Sequence, residues 1–310
     1  MKSPRNITIA ITGKCNLACK HCFYADEMRK NDDLPTDRWL AFIKECGDAN
    51  VMTIGLTGGE PFLRNDIFEI IDAIVKNRMR FTILTNGTLV TEEIAKRVAD
   101  TGRVRRVQVS VDGDETSHEW IRGKGTYKKA LDAVRFLSGA GLFVAVNMVI
   151  PKPQSTDIYE AVVRVKDSGA GIVSLSFPVQ EGSAKKLYTE YECSDDDKVI
   201  VLDKKLEDIK SIISNFNPES RINDKKWVSD VRDNKICRIA EYSLFINNNG
   251  AYAPCPHIEL SKKTFIYDCP LIEFWGRNSE IKSYRNGDIS PLSRCPALVV
   301  PAFSLGRKGD

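Results

Sequence analysis

No apolar stretch in this chain approaches the roughly 18 residues that a membrane-spanning helix needs; Leu142 to Val146 and Ala297 to Phe303 are typical of its longest apolar runs. No membrane span is expected. The N-terminus runs directly into Ile7-Thr8-Ile9-Ala10-Ile11-Thr12 without the long apolar core of a secretion signal, so a cytoplasmic location is expected rather than export. An excess of charge of one sign is missing too: 45 basic against 42 acidic residues leave a formal +3, too balanced to imply a nucleic-acid or membrane partner. Low-complexity tracts are also absent. What remains is an ordinary soluble balance, 42% hydrophobic and 28% charged over 310 residues, enough for one large core or two domains.

Cysteine is the residue in surplus. Nine in a chain read as cytoplasmic are better explained by metal ligation or catalysis than by disulfides, which a reducing compartment does not sustain. Cys15, Cys19 and Cys22 form CxxxCxxC near the N-terminus, Cys237, Cys255, Cys269 and Cys295 fall in the last quarter, and Cys46 and Cys193 stand alone. Three converging thiolates can hold a four-iron cluster by three of its irons and leave the fourth open for chemistry. The same spacing also describes one face of a helix bearing small buried cysteines, and His21 would complete a Cys3His zinc site.

From residue 6 to about 177, short β-branched runs alternate with longer amphipathic segments, the pattern of repeated βα units around a parallel sheet. Six strands are predicted: Ile7 to Thr12, Met52 to Leu56, Arg80 to Leu84, Arg106 to Val111, Phe143 to Val149 and Ile172 to Phe177. Helix starts are marked by Thr36-Asp37, Asn65-Asp66, Thr91 with Glu92 and Glu93, and Ser155-Thr156-Asp157. Six units are too few for an eight-stranded barrel, which leaves a partial open barrel or a doubly wound sheet. Both architectures put function at the C-terminal ends of the strands, where the three cysteines fall, and this weakens the helix-stripe reading. Residues 195–215 read as a charged helix capped by Ser194, residues 215–226 as a linker, and the C-terminal quarter as a loop-rich segment that metal would staple. Gly306 to Asp310 read as a disordered tail.

After the second strand comes Thr57-Gly58-Gly59-Glu60-Pro61, whose paired glycines can open the backbone to a ligand. CxxxCxxC after strand one and GGEP after strand two, followed by Thr85-Asn86-Gly87, Ser110-Val111-Asp112-Gly113 and Ile121-Arg122-Gly123 at later strand ends, together resemble the radical S-adenosylmethionine superfamily over roughly residues 5 to 185. The resemblance implies an α/β fold, a partial (β/α)6 TIM-like barrel followed by a small loop-rich Fe-S auxiliary domain. The implied divisions are a core barrel over 1–185, a helical connector and linker over 186–236, and a twitch or SPASM-like auxiliary domain over 237–310.

It further implies that Cys15, Cys19 and Cys22 bind a 4Fe-4S cluster whose open iron chelates S-adenosylmethionine. Gly58, Gly59 and Glu60 would meet the methionine amino group, and Phe23 and Tyr24 would lie along the adenine. Asn86, Ser110 and Asp112 would contact the ribose or sulfonium side, and Arg122 would be the counter-charge to the carboxylate. His21 is read as packing rather than as a ligand, and His118 as structural rather than as a base. Cys237, Gly250 and Cys255 match the opening of the auxiliary domain, but Leu298 stands where a further cysteine of the full SPASM pattern would be. One auxiliary 4Fe-4S cluster is therefore expected, held by Cys237, Cys255, Cys295 and Cys269, with His257 a weaker fourth ligand.

The implied activity is reductive cleavage of S-adenosylmethionine to a 5′-deoxyadenosyl radical that takes hydrogen from an unactivated C–H. The leading substrate is a ribosomally made peptide, to be oxidised, cross-linked or epimerised. A small-molecule dehydrogenase or epimerase of aminosugars or alcohols, and a non-catalytic metal-binding or electron-transfer module, are the alternatives. Cys193, if unligated, is the candidate hydrogen donor, and Cys46 is read as core. An electron donor such as flavodoxin or ferredoxin is implied. Strand one begins too early for a fused peptide-recognition domain, so a separate recognition protein is expected to supply that function.

Overall fold

The computed structural model describes residues 3–149, 158–176, 178, 181–186, 240–286, 288 and 303–304. In chain order the elements of the first unit are β1 (Asn6–Thr12), α1 (Ala25–Lys30), α2 (Thr36–Asp48), β2 (Thr53–Gly58), α3 (Ile67–Lys76), β3 (Arg80–Thr85), α4 (Glu92–Asp100), β4 (Val104–Ser110), α5 (Glu115–Arg122), α6 (Tyr127–Gly139), β5 (Val144–Val149), α7 (Ile158–Asp167) and β6 (Ile172–Ser176). All six predicted strands are present. Each forms because β-branched residues fit a sheet buried on both faces: Ile7, Ile9 and Ile11 of β1 and Ile54 and Leu56 of β2 are fully enclosed.

The strands lie side by side in sequence order, β1-β2-β3-β4-β5-β6, with every neighbouring pair parallel. A doubly wound sheet reverses its order at a switch point, whereas right-handed crossovers that always step the same way put their helices on one side and curl the sheet. The partial barrel is therefore the architecture. Its helices pack through apolar stripes, Trp39, Phe42, Ile43 and Cys46 on α2 and Ile67, Ile70, Ile71 and Ile74 on α3. Cys46 is core, as its helical spacing from Phe42 indicates.

One predicted helix start caps its helix and another does other work. Thr91 caps α4, its hydroxyl accepting from the Ile94 amide at 3.2 Å. Asp66 makes no cap bond; its carboxylate takes the Arg64 guanidinium and the Thr36 hydroxyl, which ties the start of α2 to the start of α3. The Ser155 to Asp157 signal lies outside the described residues, as do the predicted 195–215 helix, the 215–226 linker and the 306–310 tail.

The C-terminal segment joins the same sheet. Strand β7 (Ser243–Ile246) runs parallel to β1 on its free edge, β8 (Tyr252–Ala253) folds back antiparallel, and β9 (Phe303–Ser304) pairs antiparallel with β6. Helices α8 (Leu271–Arg277) and α9 (Ser279–Asn286) follow the hairpin, and Tyr252 stacks on Phe274 with ring centroids 3.9 Å apart. Leu244, Ile246, Leu271, Phe274 and Trp275 are continuous with the barrel core. A sheet edge and a shared core hold the described part of this segment, which the sequence reads as loop-rich and stapled by metal.

The Asn247-Asn248-Asn249-Gly250 turn between β7 and β8 is a docking point. Asn248 is wholly buried; its side-chain amide donates to the Asn31 carbonyl at 3.1 Å and to Asp33 at 3.0 Å, and its backbone carbonyl accepts from the Leu34 amide at 2.9 Å. Asp33 in turn accepts from the Gly13 amide at 2.6 Å and from the Thr12 hydroxyl, so the hairpin grips the end of β1. Replacing a buried, fully bonded amide strands its partners, at about 1–3 kcal/mol. An Asn248→Ala variant should lose that much unfolding free energy in denaturant titration; an unchanged midpoint and slope would show that the turn does not anchor the hairpin.

Candidate active site

The cysteine loop leaves the end of β1 and crosses the loop after β2 at backbone contact. The Gly59 amide donates to the Thr12 carbonyl at 2.7 Å and the Glu60 amide to the Lys14 carbonyl at 2.8 Å. A Cβ on Gly58, which has φ of +122°, would overlap the Thr12 carbonyl oxygen, and one on Gly59 would overlap that of Lys14. The glycine pair is thus required first by two backbones in contact. Both of these amide hydrogens are occupied and so are not offered to an anion.

Glu60 is fully buried and does not reach the cavity. Burial pushes its carboxyl up even though the Asn86 amide and the Thr85 hydroxyl, both at 2.8 Å, and the Phe62 amide at 3.2 Å donate to it. It ties the end of β2 to the end of β3. Its predicted contact with an amino group is not available to the side chain as it stands.

Beyond the crossing, the strand ends enclose a cavity of about 540 Å3, within the range of small-molecule sites. Cys15, Cys19 and Cys22 line it, together with Gly58 and Gly59. Thr85, Asn86, Gln108, Ser110, Asn147 and Ser176 add neutral polar groups to the lining, Asn86 within 3.9 Å of the Cys15 sulfur. Gln108, Asn147 and Ser176 went unremarked in the sequence, although Gln108 and Ser110 share the inward face of β4 at strand spacing. Burial raises the thiols of Cys15 and Cys22 and pushes that of Cys19 up to about 12. Protonated thiols in such a place ionise only when a cation replaces the proton, which is what a thiolate-binding metal centre does. Among the described residues no three Cys, His, Asp or Glu side chains converge closely enough for a single ion. The Cys3His zinc arrangement with His21 is not assembled, whereas a cluster binds each thiolate through a different iron.

His21 faces Asp112 instead, Nε2 to Oδ2 at 3.0 Å. The reading of His21 as packing is corrected accordingly: it is a polar partner in a buried charge network. Asp112 is also fully enclosed, accepting from the Val149 amide at 2.9 Å and from Arg122 Nε at 2.5 Å. Burial alone would raise this carboxyl, but the charges of Arg122 and His21 outweigh it and hold it well below the usual range. Asp112 does not line the cavity and serves Arg122 rather than a ribose. Arg122 does line it, with Nη1 3.9 Å from the Cys19 sulfur. Beneath them His118 Nδ1 accepts from the Asp112 amide at 3.0 Å.

The two aromatic positions diverge. Phe23 lines the cavity and packs on His257 with centroids 4.5 Å apart, while Tyr24 turns into the core beside Phe245 and donates to Asn247 at 3.1 Å. Tyr24 therefore does not lie along a cavity ligand. His257 and Ser183 also line the cavity, His257 with its Nδ1 2.8 Å from Glu181 Oε2 and Ser183 with its amide donating to the Cys22 carbonyl at 2.9 Å. Cys255 sits two residues before it and accepts from its amide at 3.4 Å, and Cys269 begins the turn into α8. Cys193, Cys237 and Cys295 lie outside the described residues.

Residues 9–165 match the profile of the Radical SAM superfamily. The chain is 26% identical over 305 residues to the AdoMet-dependent heme synthase of Nitratidesulfovibrio vulgaris, covering 89% of this chain and 79% of that protein. It is 32% identical over 158 residues to the mycofactocin maturase MftC of Mycolicibacterium smegmatis, covering 51% of this chain but only 40% of that one. Among solved structures it resembles Streptococcus suis SuiB bound to its precursor peptide SuiA, with a TM-score of 0.66 at 16% identity over 92% of this chain and 67% of that chain, a likeness of fold. The chain belongs to the Radical SAM superfamily and is an enzyme that uses a 4Fe-4S cluster and S-adenosylmethionine. No helix among the described residues is long and apolar enough to cross a membrane.

Burial pulls the His118 imidazole down to about 4, so it is neutral in the fold and protonates near 6.5 once unfolded. Between those values the unfolded chain binds the extra proton, and stability falls as pH drops through 6.5. Going from pH 7.5 to 5.5 should cost about 1 kcal/mol through this group. A His118→Gln variant should lack that share of the pH slope in denaturant unfolding; identical slopes would contradict the assignment.

Proposed function

We propose that Cys15, Cys19 and Cys22 hold the 4Fe-4S cluster, that S-adenosylmethionine occupies the cavity beside it, and that the enzyme modifies a ribosomally made peptide at an unactivated C–H. The observation carrying the site assignment is that the three cysteines line one cavity at the C-terminal ends of the parallel strands, together with neutral polar residues from the ends of β3 to β6. When bound, the cluster and S-adenosylmethionine supply the electron and the hydrogen-atom abstraction. The protein supplies orientation and exclusion of water.

At this crossing the Gly59 and Glu60 amide hydrogens are spent, so the backbone there suits a ligand ammonium that needs acceptors rather than an anion. Asn86 and Ser110 are the polar contacts for the ribose side, Phe23 is the apolar contact for the base, and Arg122 is the cation facing the carboxylate. In the C-terminal segment, Cys237, Cys255 and Cys295 with Cys269 would hold an auxiliary 4Fe-4S cluster. Residues 186–236 connect that segment to the barrel, and Cys193 would return hydrogen if the outcome is epimerisation. An electron donor of the flavodoxin or ferredoxin kind, a separate peptide-recognition protein and a cytoplasmic setting complete the reading.

Peptide chemistry is favoured because SuiB, solved with its precursor peptide, shares the fold over nearly the whole chain. One observation favours a small molecule instead: the relative matched over 89% of this chain is named a heme synthase. Anaerobic, reduced enzyme incubated with S-adenosylmethionine should release 5′-deoxyadenosine. The combined Cys15→Ala, Cys19→Ala and Cys22→Ala variant should lose at least a hundredfold of that release, and equal yields would overturn the site. A short peptide encoded beside the gene should become modified during turnover; modification of a tetrapyrrole with no change to any such peptide would shift the substrate to the second reading.

A further inference from the structure

We propose that Arg122, held by Asp112, is a positioning residue that directs positive charge onto the Cys19 sulfur and so raises the reduction potential of the cluster. This rests on the reading of Cys15, Cys19 and Cys22 as the cluster's ligands. The guanidinium is used through three nitrogens. Its Nε donates to Asp112 Oδ2, its Nη2 lies 3.3 Å from His21 Nε2, and its Nη1 lies 3.9 Å from Cys19 Sγ. The side chains of Arg122 and Asp112 are 9% and 0% exposed.

The carboxylate is fixed in its turn. Its second oxygen accepts from the Val149 amide at the end of β5, and His21 Nε2 stands 3.0 Å from the oxygen that Arg122 also uses. Asp112 is thereby pinned against the arginine's Nε, while Nη1 is the guanidinium nitrogen beside the sulfur. The pair is a fixed dipole whose cationic end faces a cluster ligand. A buried ion pair adds little net stability over an apolar substitute, so its place is better explained by what it does to its neighbour.

The other two cysteines are hydrogen-bonded by neutral groups. Cys15 has the Leu17 amide at 3.5 Å and the Asn86 side-chain amide at 3.9 Å, Cys22 has the backbone amides of Tyr24 and Ala25, and the hydrogen-bond contact of Arg122 is with Cys19. On reduction the cluster gains one electron from the external low-potential donor and no bond is broken, so its charge becomes more negative by one. A cation held beside a ligand sulfur in a region of low dielectric, little screened by salt, favours that more negative state, and hydrogen bonds to the sulfurs act in the same direction.

The test is an EPR-monitored redox titration of the full chain, reconstituted anaerobically with iron and sulfide. It is run without S-adenosylmethionine, so that any contact of Arg122 with that ligand does not enter. Arg122→Gln should lower the midpoint, the reduced-to-oxidised ratio at a fixed potential falling about tenfold, ~59 mV for a one-electron couple. Arg122→Lys should move it less in the same direction. Asp112→Asn, which removes the counter-charge, should move it the opposite way. A fully loaded Arg122→Gln protein with the wild-type midpoint, or Arg122→Gln and Asp112→Asn shifts of the same sign, overturns the proposal. Should Arg122→Gln fail to retain iron, Arg122→Lys and Asp112→Asn carry the test, and equal midpoints in those two overturn it. Wild-type iron content in the triple cysteine variant would remove the ligand reading itself, whereas loaded clusters with unmoved midpoints remove this proposal alone.

Discussion

Two backbone segments pass so closely at Gly58 and Gly59 that neither glycine can carry a side chain, and the position of the cysteine loop follows from that contact. Carbonyls at the end of β1 accept from amides at the end of β2, and the loop bearing Cys15, Cys19 and Cys22 is launched over the barrel mouth at a fixed height. Parallel neighbours in register make this possible, since Ala10 stands beside Thr57 and the two strands end together. A closed backbone-to-backbone contact also explains why Glu60 is turned inward. Once its amide is committed to Lys14, its carboxylate falls against Thr85 and Asn86 and stitches β2 to β3.

Two further supports hold the loop from either side. On one, Asp33 bonds Thr12 and Gly13 and is itself held by Asn248, which brings the C-terminal hairpin under the same loop. On the other, Arg122 at the end of α5 spans the distance between Asp112 and Cys19, and the Lys20 amide donates to the Ile121 carbonyl at 3.0 Å. The loop is thus tied to β1, β2, β7 and α5 while its sulfurs remain open to the cavity. A catalytic metal centre needs that combination: ligands held rigidly by their surroundings, with one side left free for substrate.

Much of this was legible in the residues. The six strands follow from β-branched runs, and CxxxCxxC, GGEP and the later strand-end motifs fall where the fold puts its mouth, because strand order and strand direction fix where a strand-end residue lies. Less legible were the roles of individual side chains. Glu60 and Asp112 read as ligand contacts, yet both are consumed by hydrogen bonds within the protein, which depend on neighbours far away in sequence such as Thr85 and Val149. Tyr24 follows Phe23 directly, and adjacent residues on an irregular loop can face opposite ways: one lines the cavity and the other enters the core. Asn248 reads as one of several turn residues, and only the packed structure distinguishes it as buried. Short strands β7 and β8 lack a periodic pattern long enough to register, so the attachment of the C-terminal segment to β1 had no local signal.

The central claim is that the loop holds a cluster with one open position facing the cavity. The most direct measurement is the EPR spectrum of the reduced, reconstituted protein before and after addition of S-adenosylmethionine. The account predicts that the signal changes in shape on addition, because the ligand reaches an iron that no cysteine occupies. A reduced cluster whose spectrum is identical with and without S-adenosylmethionine would contradict it.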